Sequence, residues 1–232
     1  MTSPEPDPHG ADLAAPVQES LEAARIVAVV RVPAPDGVVA ACRALCRHGV
    51  GAVEITLTVP GAFGLIAALN AEFAGDLLVG AGTVLDPDAA RRAVEAGATF
   101  VVSPVFDATV VDQCHQAGVL AVPAALTPTE VLTAWRHGCP LVKLFPARVA
   151  TPAYVRDLLG PLPDVRLFPT GGIDETAAAA YFEAGVAVVG IGSALMTPAA
   201  IARGDTDAIG AAATRFARVA AQARAAHEGG RR

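Results

Sequence analysis

The chain has a single lysine. Every other member of its 17 lysine and arginine positions is an arginine, so positive charge rests on guanidinium groups and only Lys143 keeps an amine. Long hydrophobic runs are also missing. No stretch reaches the ~18 uninterrupted apolar residues that a membrane span needs. The opening MTSPEPDPHG is proline-rich and acidic, without the basic and then apolar blocks of a signal peptide. A soluble, cytoplasmic protein is the expectation. The four cysteines, Cys42, Cys46, Cys114 and Cys139, lack CxxC spacing, and Cys42 and Cys46 form a helical i, i+4 pair. Small buried thiols are expected. An excess of positive charge is lacking too: a net charge of −6 gives no general attraction to nucleic acid or anionic membranes. Any anionic ligand must be met by local groups.

What is present is a regular alternation. With 53% hydrophobic and 17% charged residues, the 232-residue chain suits one compact domain. Short apolar runs at 26–31, 53–58, 77–82, 100–103, 120–123, 141–145, 166–170 and 186–191 read as strands. Amphipathic stretches follow them, among them 36–48, 86–96, 108–116, 129–137 and 174–184. Several end at glycine, at Gly49, Gly97, Gly118, Gly138 and Gly185, where a left-handed residue closes a helix. Eight βα units imply an α/β fold of the (β/α)8 TIM-barrel class. An extra N-terminal helix is expected near 17–24 and a last helix near 207–226. The catalytic domain is placed at 16–226, with disordered tails at 1–15 and 227–232.

In such barrels chemistry sits at the C-terminal ends of the strands, and the residues of a strand alternate between the lumen and the helix layer. In the second strand Val53, Ile55 and Leu57 share one face and Glu54, Thr56 and Thr58 the other, so the polar face is the lumen. Glu54 is the only carboxylate within an apolar strand. In the sixth strand Leu141, Lys143 and Phe145 share a face, which brings Lys143 and Glu54 into one water-poor space. Arginine stays protonated and cannot replace a nucleophilic amine, whereas a desolvated lysine can lose its proton. Such an amine attacks a ketone, and a carboxylate that exchanges protons dehydrates the carbinolamine to an iminium ion. The plainer alternatives are a lysine snorkelling from a strand end and a buried structural salt bridge.

Anion handles lie at the same rim. GAGTV at 80–84 ends the third strand with small residues beside the hydroxyl of Thr83, allowing close backbone approach to a ligand carboxylate. PTGGID at 169–174 and GIGSA at 190–194 follow the seventh and eighth strands, where barrels of this kind often hold a phosphate. Tight turning alone is the simpler reading of these loops. Arg31 ends the first strand at the same rim.

Taken together, VEITLTVP at 53–60, GAGTV at 80–84, Ser103-Pro104, TPTE at 127–130, KLFP at 143–146, PTGG at 169–172 and GIGS at 190–193 resemble the 2-keto-3-deoxy-6-phosphogluconate (KDPG) / 4-hydroxy-2-oxoglutarate (KHG) aldolase family, class I. The resemblance runs over residues 17 to 222. It implies a lyase that splits 2-keto-3-deoxy-6-phosphogluconate into pyruvate and glyceraldehyde 3-phosphate, with related activity on 4-hydroxy-2-oxoglutarate, and it implies a homotrimer. No metal and no cofactor is implied. By the same resemblance Lys143 is the Schiff-base residue and Glu54 the acid/base, with Thr83 and Arg31 near the substrate carboxylate. Pro104 and Phe145 are implied as pocket walls, with Gly171, Gly172, Gly192 and Ser193 on the phosphate side.

Three positions depart from the common pattern. Thr58 stands where some members carry an arginine, and is counted with the substrate-binding residues because other members share the threonine. Ala124 follows Pro123 where a glycine is usual. Arg148 stands two residues past KLFP, where a glutamate is common, reversing the charge at the rim. Three other classes stay in view. A metal-dependent aldolase would need a ligand cluster, but His9, His48, His115, His137 and His227 lie in tails or near helix ends. A phosphate-binding isomerase or synthase without a Schiff base would have no use for Lys143. A catalytically retired barrel would not need Glu54 and Lys143 together.

Overall fold

In the computed structural model, which describes residues 8–229, parallel strands alternate with helices along the whole chain. The order begins α1 (Pro8–Ala24), β1 (Ile26–Val30), α2 (Val38–Arg47), β2 (Ala52–Thr56), α3 (Ala62–Phe73), β3 (Leu78–Gly82), α4 (Pro87–Glu95) and β4 (Phe100–Val102). It continues with α5 (Ala108–Gln116), β5 (Leu120–Val122), β6 (Ala124–Ala125), α6 (Pro128–Arg136), β7 (Leu141–Leu144), α7 (Pro152–Leu159) and β8 (Arg166–Pro169). The last elements are α8 (Glu175–Glu183), β9 (Val189–Ile191), α9 (Pro198–Ala202) and α10 (Thr206–Gly229).

Local chemistry explains where the helices start. Asp86, Asp107, Thr127, Thr151, Asp174 and Thr197 each accept a hydrogen bond from a backbone N–H of the turn they precede. In α4, α6, α7 and α9 a proline occupies the opening position, where its missing N–H costs nothing. Thr127 and Glu130 complete a reciprocal capping box.

The strands form two parallel sheets, ordered β5-β4-β3-β2-β1-β9 and β6-β7-β8. They correspond to the eight expected runs, except that the fifth run is divided at Pro123. That residue has no N–H for the ladder. Its carbonyl still accepts from the Lys143 backbone N–H at 2.9 Å, and a bridge between Thr170 and Gly190 links the second sheet to β9.

Burial divides the apolar residues by strand face, following the period of two. One cluster packs Val53, Ile55, Val79 and Val142 against the helices. The other gathers Val27, Ala52, Phe100, Leu120, Leu141 and Phe168 inside the curl, where Leu21 of α1 joins them. The amphipathic α1 thus supplies a floor to the lumen. It begins at Pro8, well ahead of the expected start near residue 17, so the expected tail boundary at 15 falls inside it. Pro16 suggests a helix start by its fixed φ, yet here it sits within the helix. At the other end α10 reaches Gly229, past the expected limit of 226. The rest of the expected tails, residues 1–7 and 230–232, lies outside the described residues.

All four cysteines are free. Cys42, Cys114 and Cys139 are buried, as expected, and Cys46 is half-buried. Burial pushes the Cys42 thiol up to about 12, with a smaller push from Cys46, and burial alone does the same at Cys114. No helix among the described residues is long and apolar enough to cross a membrane.

Glycine matters most where the sheet approaches itself. A Cβ on Gly80 would enter the ring of Phe100 on the neighbouring strand, whereas one on Gly51 would meet nothing within 4 Å. Gly80→Ala should therefore lower the denaturant midpoint by an amount corresponding to about 1–3 kcal/mol of overpacking. Gly51→Ala, measured in parallel, should stay near the parent; equal losses would show that the Gly80–Phe100 contact does not limit packing.

Candidate active site

The lumen becomes polar above its apolar floor. On β2, Glu54 lies two residues above Ala52 on the inner face, and on β7 Lys143 lies two above Leu141. Both side chains are almost inaccessible, 1% exposed for Glu54 and 7% for Lys143. Lys143 Nζ stands 3.7 Å from Glu54 Oε1, an ion-pair distance outside the range of a good hydrogen bond. Neither carboxylate oxygen has a hydrogen-bond partner among the described residues. A buried carboxylate with both oxygens unsatisfied is expensive.

The surrounding residues explain why it fits. A Cβ on Gly82 would collide with the Glu54 carboxyl, and one on Gly190 would lie 2.5 Å from Thr170 Oγ1. The small residues at 80 and 82 thus make room first for Phe100 and Glu54. That refines the expectation of an open backbone approach for ligand. Thr83, next along, holds a φ of 61°, a left-handed conformation in which a β-branched residue is strained. Its hydroxyl accepts a long bond of 3.4 Å from Arg31 Nη2, so the expected Arg31–Thr83 pair does converge.

Phe145 stands over the amine, its ring centroid 5.4 Å from Nζ, and borders two cavities. The smaller, about 290 Å³, has Pro104, Ala124, Ala125 and Glu130 in its wall. The larger, about 650 Å³, runs from Val29 and Arg31 past Phe145 to Gly171, Gly172, Gly192 and Ser193. The structure therefore brings Pro104, Phe145, Arg31 and both glycine loops to two spaces that share the Phe145 wall, while Lys143, Glu54 and Thr83 line neither. Thr58 also stays outside them. It is exposed in the turn after β2, its hydroxyl is 2.8 Å from that of Thr56, and it lines neither cavity.

Thr170 and Arg148, both in the wall of the larger cavity, were not among the expected site residues. Thr170 is 6% exposed and its hydroxyl has no partner among the described residues; its signal is position, just past the end of β8 and two residues after Phe168. Arg148 lies in the same wall and, in sequence, is visible only as a reversed charge. Among the described residues no group of three histidine, cysteine, aspartate or glutamate side chains is placed to hold a metal ion.

A parallel α/β sheet with a paired lysine and carboxylate inside its curl is the arrangement of a Schiff-base lyase. The chain belongs to the aldolase family described as KDPG and KHG aldolase, which it matches over residues 17–212. It is 40% identical over 189 residues to the 2-dehydro-3-deoxy-phosphogluconate aldolase of Treponema pallidum, covering 81% of this chain and 89% of that one. Identity to the 2-dehydro-3-deoxy-6-phosphogalactonate aldolase of Escherichia coli is 32% over 171 residues, or 73% and 83% of the two chains. Among solved structures, the KDPG aldolase of Legionella pneumophila, with pyruvate captured as a covalent carbinolamine, superposes with a TM-score of 0.80. That pair is 26% identical over 86% of this chain and 97% of the other.

The geometry predicts an asymmetry in stability. Lys143→Met leaves the Glu54 carboxylate buried alone and should cost about 3–5 kcal/mol. The double variant Lys143→Met/Glu54→Leu removes both charges and should recover the parental midpoint or exceed it in urea unfolding. A double variant as unstable as the single one would show that the pair contributes net stability.

Proposed function

We propose that Lys143 and Glu54 run a class I aldol cleavage of a 2-keto-3-deoxy sugar acid, with 2-keto-3-deoxy-6-phosphogluconate as the leading substrate, giving pyruvate and glyceraldehyde 3-phosphate. The observation that carries this reading is the buried amine beside a carboxylate whose oxygens are both unpartnered. Glu54 takes a proton from the Lys143 ammonium, the freed amine attacks the C2 ketone, and Glu54 gives its proton to the carbonyl oxygen and takes one from the attacking nitrogen, leaving a neutral carbinolamine. Protonated by Glu54, that oxygen leaves as water and a C=N⁺ bond forms. Glu54 then takes the proton of the C4 hydroxyl. The C3–C4 bond breaks, its electrons pass into the enamine, and the C4 fragment departs as an aldehyde. Glu54 returns the proton to C3, and water hydrolyses the iminium to free pyruvate and Lys143. No metal or cofactor enters this scheme.

Arg31 and Thr83 hold the substrate carboxylate in this reading, supported by their 3.4 Å contact at the rim next to Gly82. Phe145 and Pro104 wall the pocket. Gly171, Gly172, Gly192 and Ser193 offer backbone and hydroxyl groups at the far end of the larger cavity. Thr58 acts only indirectly, through Thr56. The names of the relatives favour phosphorylated six-carbon keto acids. The family description also keeps 4-hydroxy-2-oxoglutarate as a second substrate reading.

The same reading includes a closed (β/α)8 barrel as one domain over 16–226, with α1 as its extra helix, working in the cytoplasm as a homotrimer. Closure is supported by the Thr170–Gly190 bridge. Assembly is supported by apolar side chains left exposed on the loops after β3, β4 and β7: Leu85, Val105, Phe145 and Val149.

Incubation with pyruvate and borohydride, followed by peptide mass mapping, should place a reduced adduct on Lys143. Lys143→Arg should abolish both adduct and cleavage while leaving the circular dichroism spectrum unchanged; cleavage that survives in this variant would refute the mechanism. Glu54→Gln should lower kcat by about 10²–10⁴-fold with a smaller change in pyruvate binding. If binding falls as far as turnover, Glu54 has a structural role only.

A further inference from the structure

We propose that Arg148 is a specificity determinant that recognises a terminal anion on the aldehyde half of the substrate. The inference rests on the pyruvate-aldolase reading and names the substrate class more narrowly than that reading does.

The larger cavity contains two guanidinium groups in different parts of its wall. Arg31 ends β1, and its Nη2 reaches Thr83 beside the Lys143–Glu54 pair. Arg148 lies beyond Phe145, in the loop between β7 and α7, against the loop that follows β8. Its guanidinium makes no hydrogen bond or ion pair with any described residue, although the chain carries other arginines that do, such as Arg43 with Glu72 and Arg215 with Glu175. The cavity wall does contain one carboxylate, Asp174. That group is already engaged as the cap of α8, accepting from the Ala177 N–H at 2.8 Å.

Gly172 makes room for the guanidinium. Its φ is 74°, and an added Cβ would collide with Arg148 Nε and lie 3.1 Å from both Cζ and Nη2. The arginine therefore lies across bare backbone, where any side chain at 172 would displace it. Gly171, with φ 114°, adjoins on one side, and Ser193 shares the same wall.

A substrate with one charge satisfies Arg31 and leaves Arg148 to water. One with a carboxylate at C1 and a second anion at its far end satisfies both. Guanidinium recognises phosphate or carboxylate through paired hydrogen bonds, and charge-assisted bonds of this kind are about twice as strong as neutral ones. Arg148 therefore favours substrates whose departing aldehyde carries phosphate or carboxylate over uncharged polyhydroxy aldehydes.

The test measures kcat and KM for three substrates with the parent protein, Arg148→Ala and Arg148→Lys. The substrates are 2-keto-3-deoxy-6-phosphogluconate, its unphosphorylated counterpart and 4-hydroxy-2-oxoglutarate. For Arg148→Ala, KM for an anion-ended substrate should rise about 10- to 100-fold with kcat nearly constant. KM for the unphosphorylated sugar acid should move less than about twofold, and lysine should restore part of the loss. A loss confined to the phosphorylated acid identifies phosphate as the partner, and a loss confined to 4-hydroxy-2-oxoglutarate identifies carboxylate. Equal losses on all three substrates, or none on any, would overturn the inference. Borohydride trapping of pyruvate on Lys143 keeps the two ideas apart. If the parent traps pyruvate and Arg148→Ala shows no selective loss, only the specificity role fails. If the parent traps nothing, the aldolase reading fails first.

Discussion

The fold's central constraint is an ion pair placed where water is scarce. Glu54 and Lys143 are held 3.7 Å apart on opposite walls of the lumen, each two residues above an apolar floor. Burying two charges in this way costs more than their attraction returns unless hydrogen bonds satisfy the remaining lone pairs, and no described residue supplies one to Glu54. The apolar packing on both faces of the sheet has to offset that cost. In exchange the amine stays beside a carboxylate and away from bulk solvent, the setting that the proposed Schiff-base chemistry uses.

Much of this was visible in the sequence because strands and helices have different periods. Alternation in VEITLT put Glu54 and Thr56 on the inner face, and alternation in LVKLF did the same for Lys143. Glycines at 49, 97, 118, 138 and 185 marked helix ends, and all five hold a positive φ. The absence of other lysines singled out the amine before any placement was known.

The features that escaped depend on contacts between distant segments. Nothing local shows that Gly80 faces the Phe100 ring, that Gly82 faces the Glu54 carboxyl, or that Gly172 supports Arg148. A glycine in a strand reads as a turn or a ligand approach until its neighbour across the sheet is known. Thr58 marks where the alternation stops. Strict alternation assigned it to the lumen, but β2 ends at Thr56 and the chain turns, leaving Thr58 exposed. Pro16 and Pro123 mislead in a related way, because a proline inside α1 and one dividing the fifth strand are both exceptions to usual placement.

The floor that α1 supplies has a kinetic consequence. With Leu21 and its neighbours packed into one end of the curl, a molecule joined to Lys143 has only the rim at the strands' C-terminal ends as an exit. Under the proposed cleavage, the three-carbon fragment held on Lys143 sits deep, and the aldehyde formed from C4 onward lies between it and the rim. Departure is then sequential, with the aldehyde leaving first and pyruvate second. In the synthetic direction the order reverses, and the keto acid must be loaded before its partner.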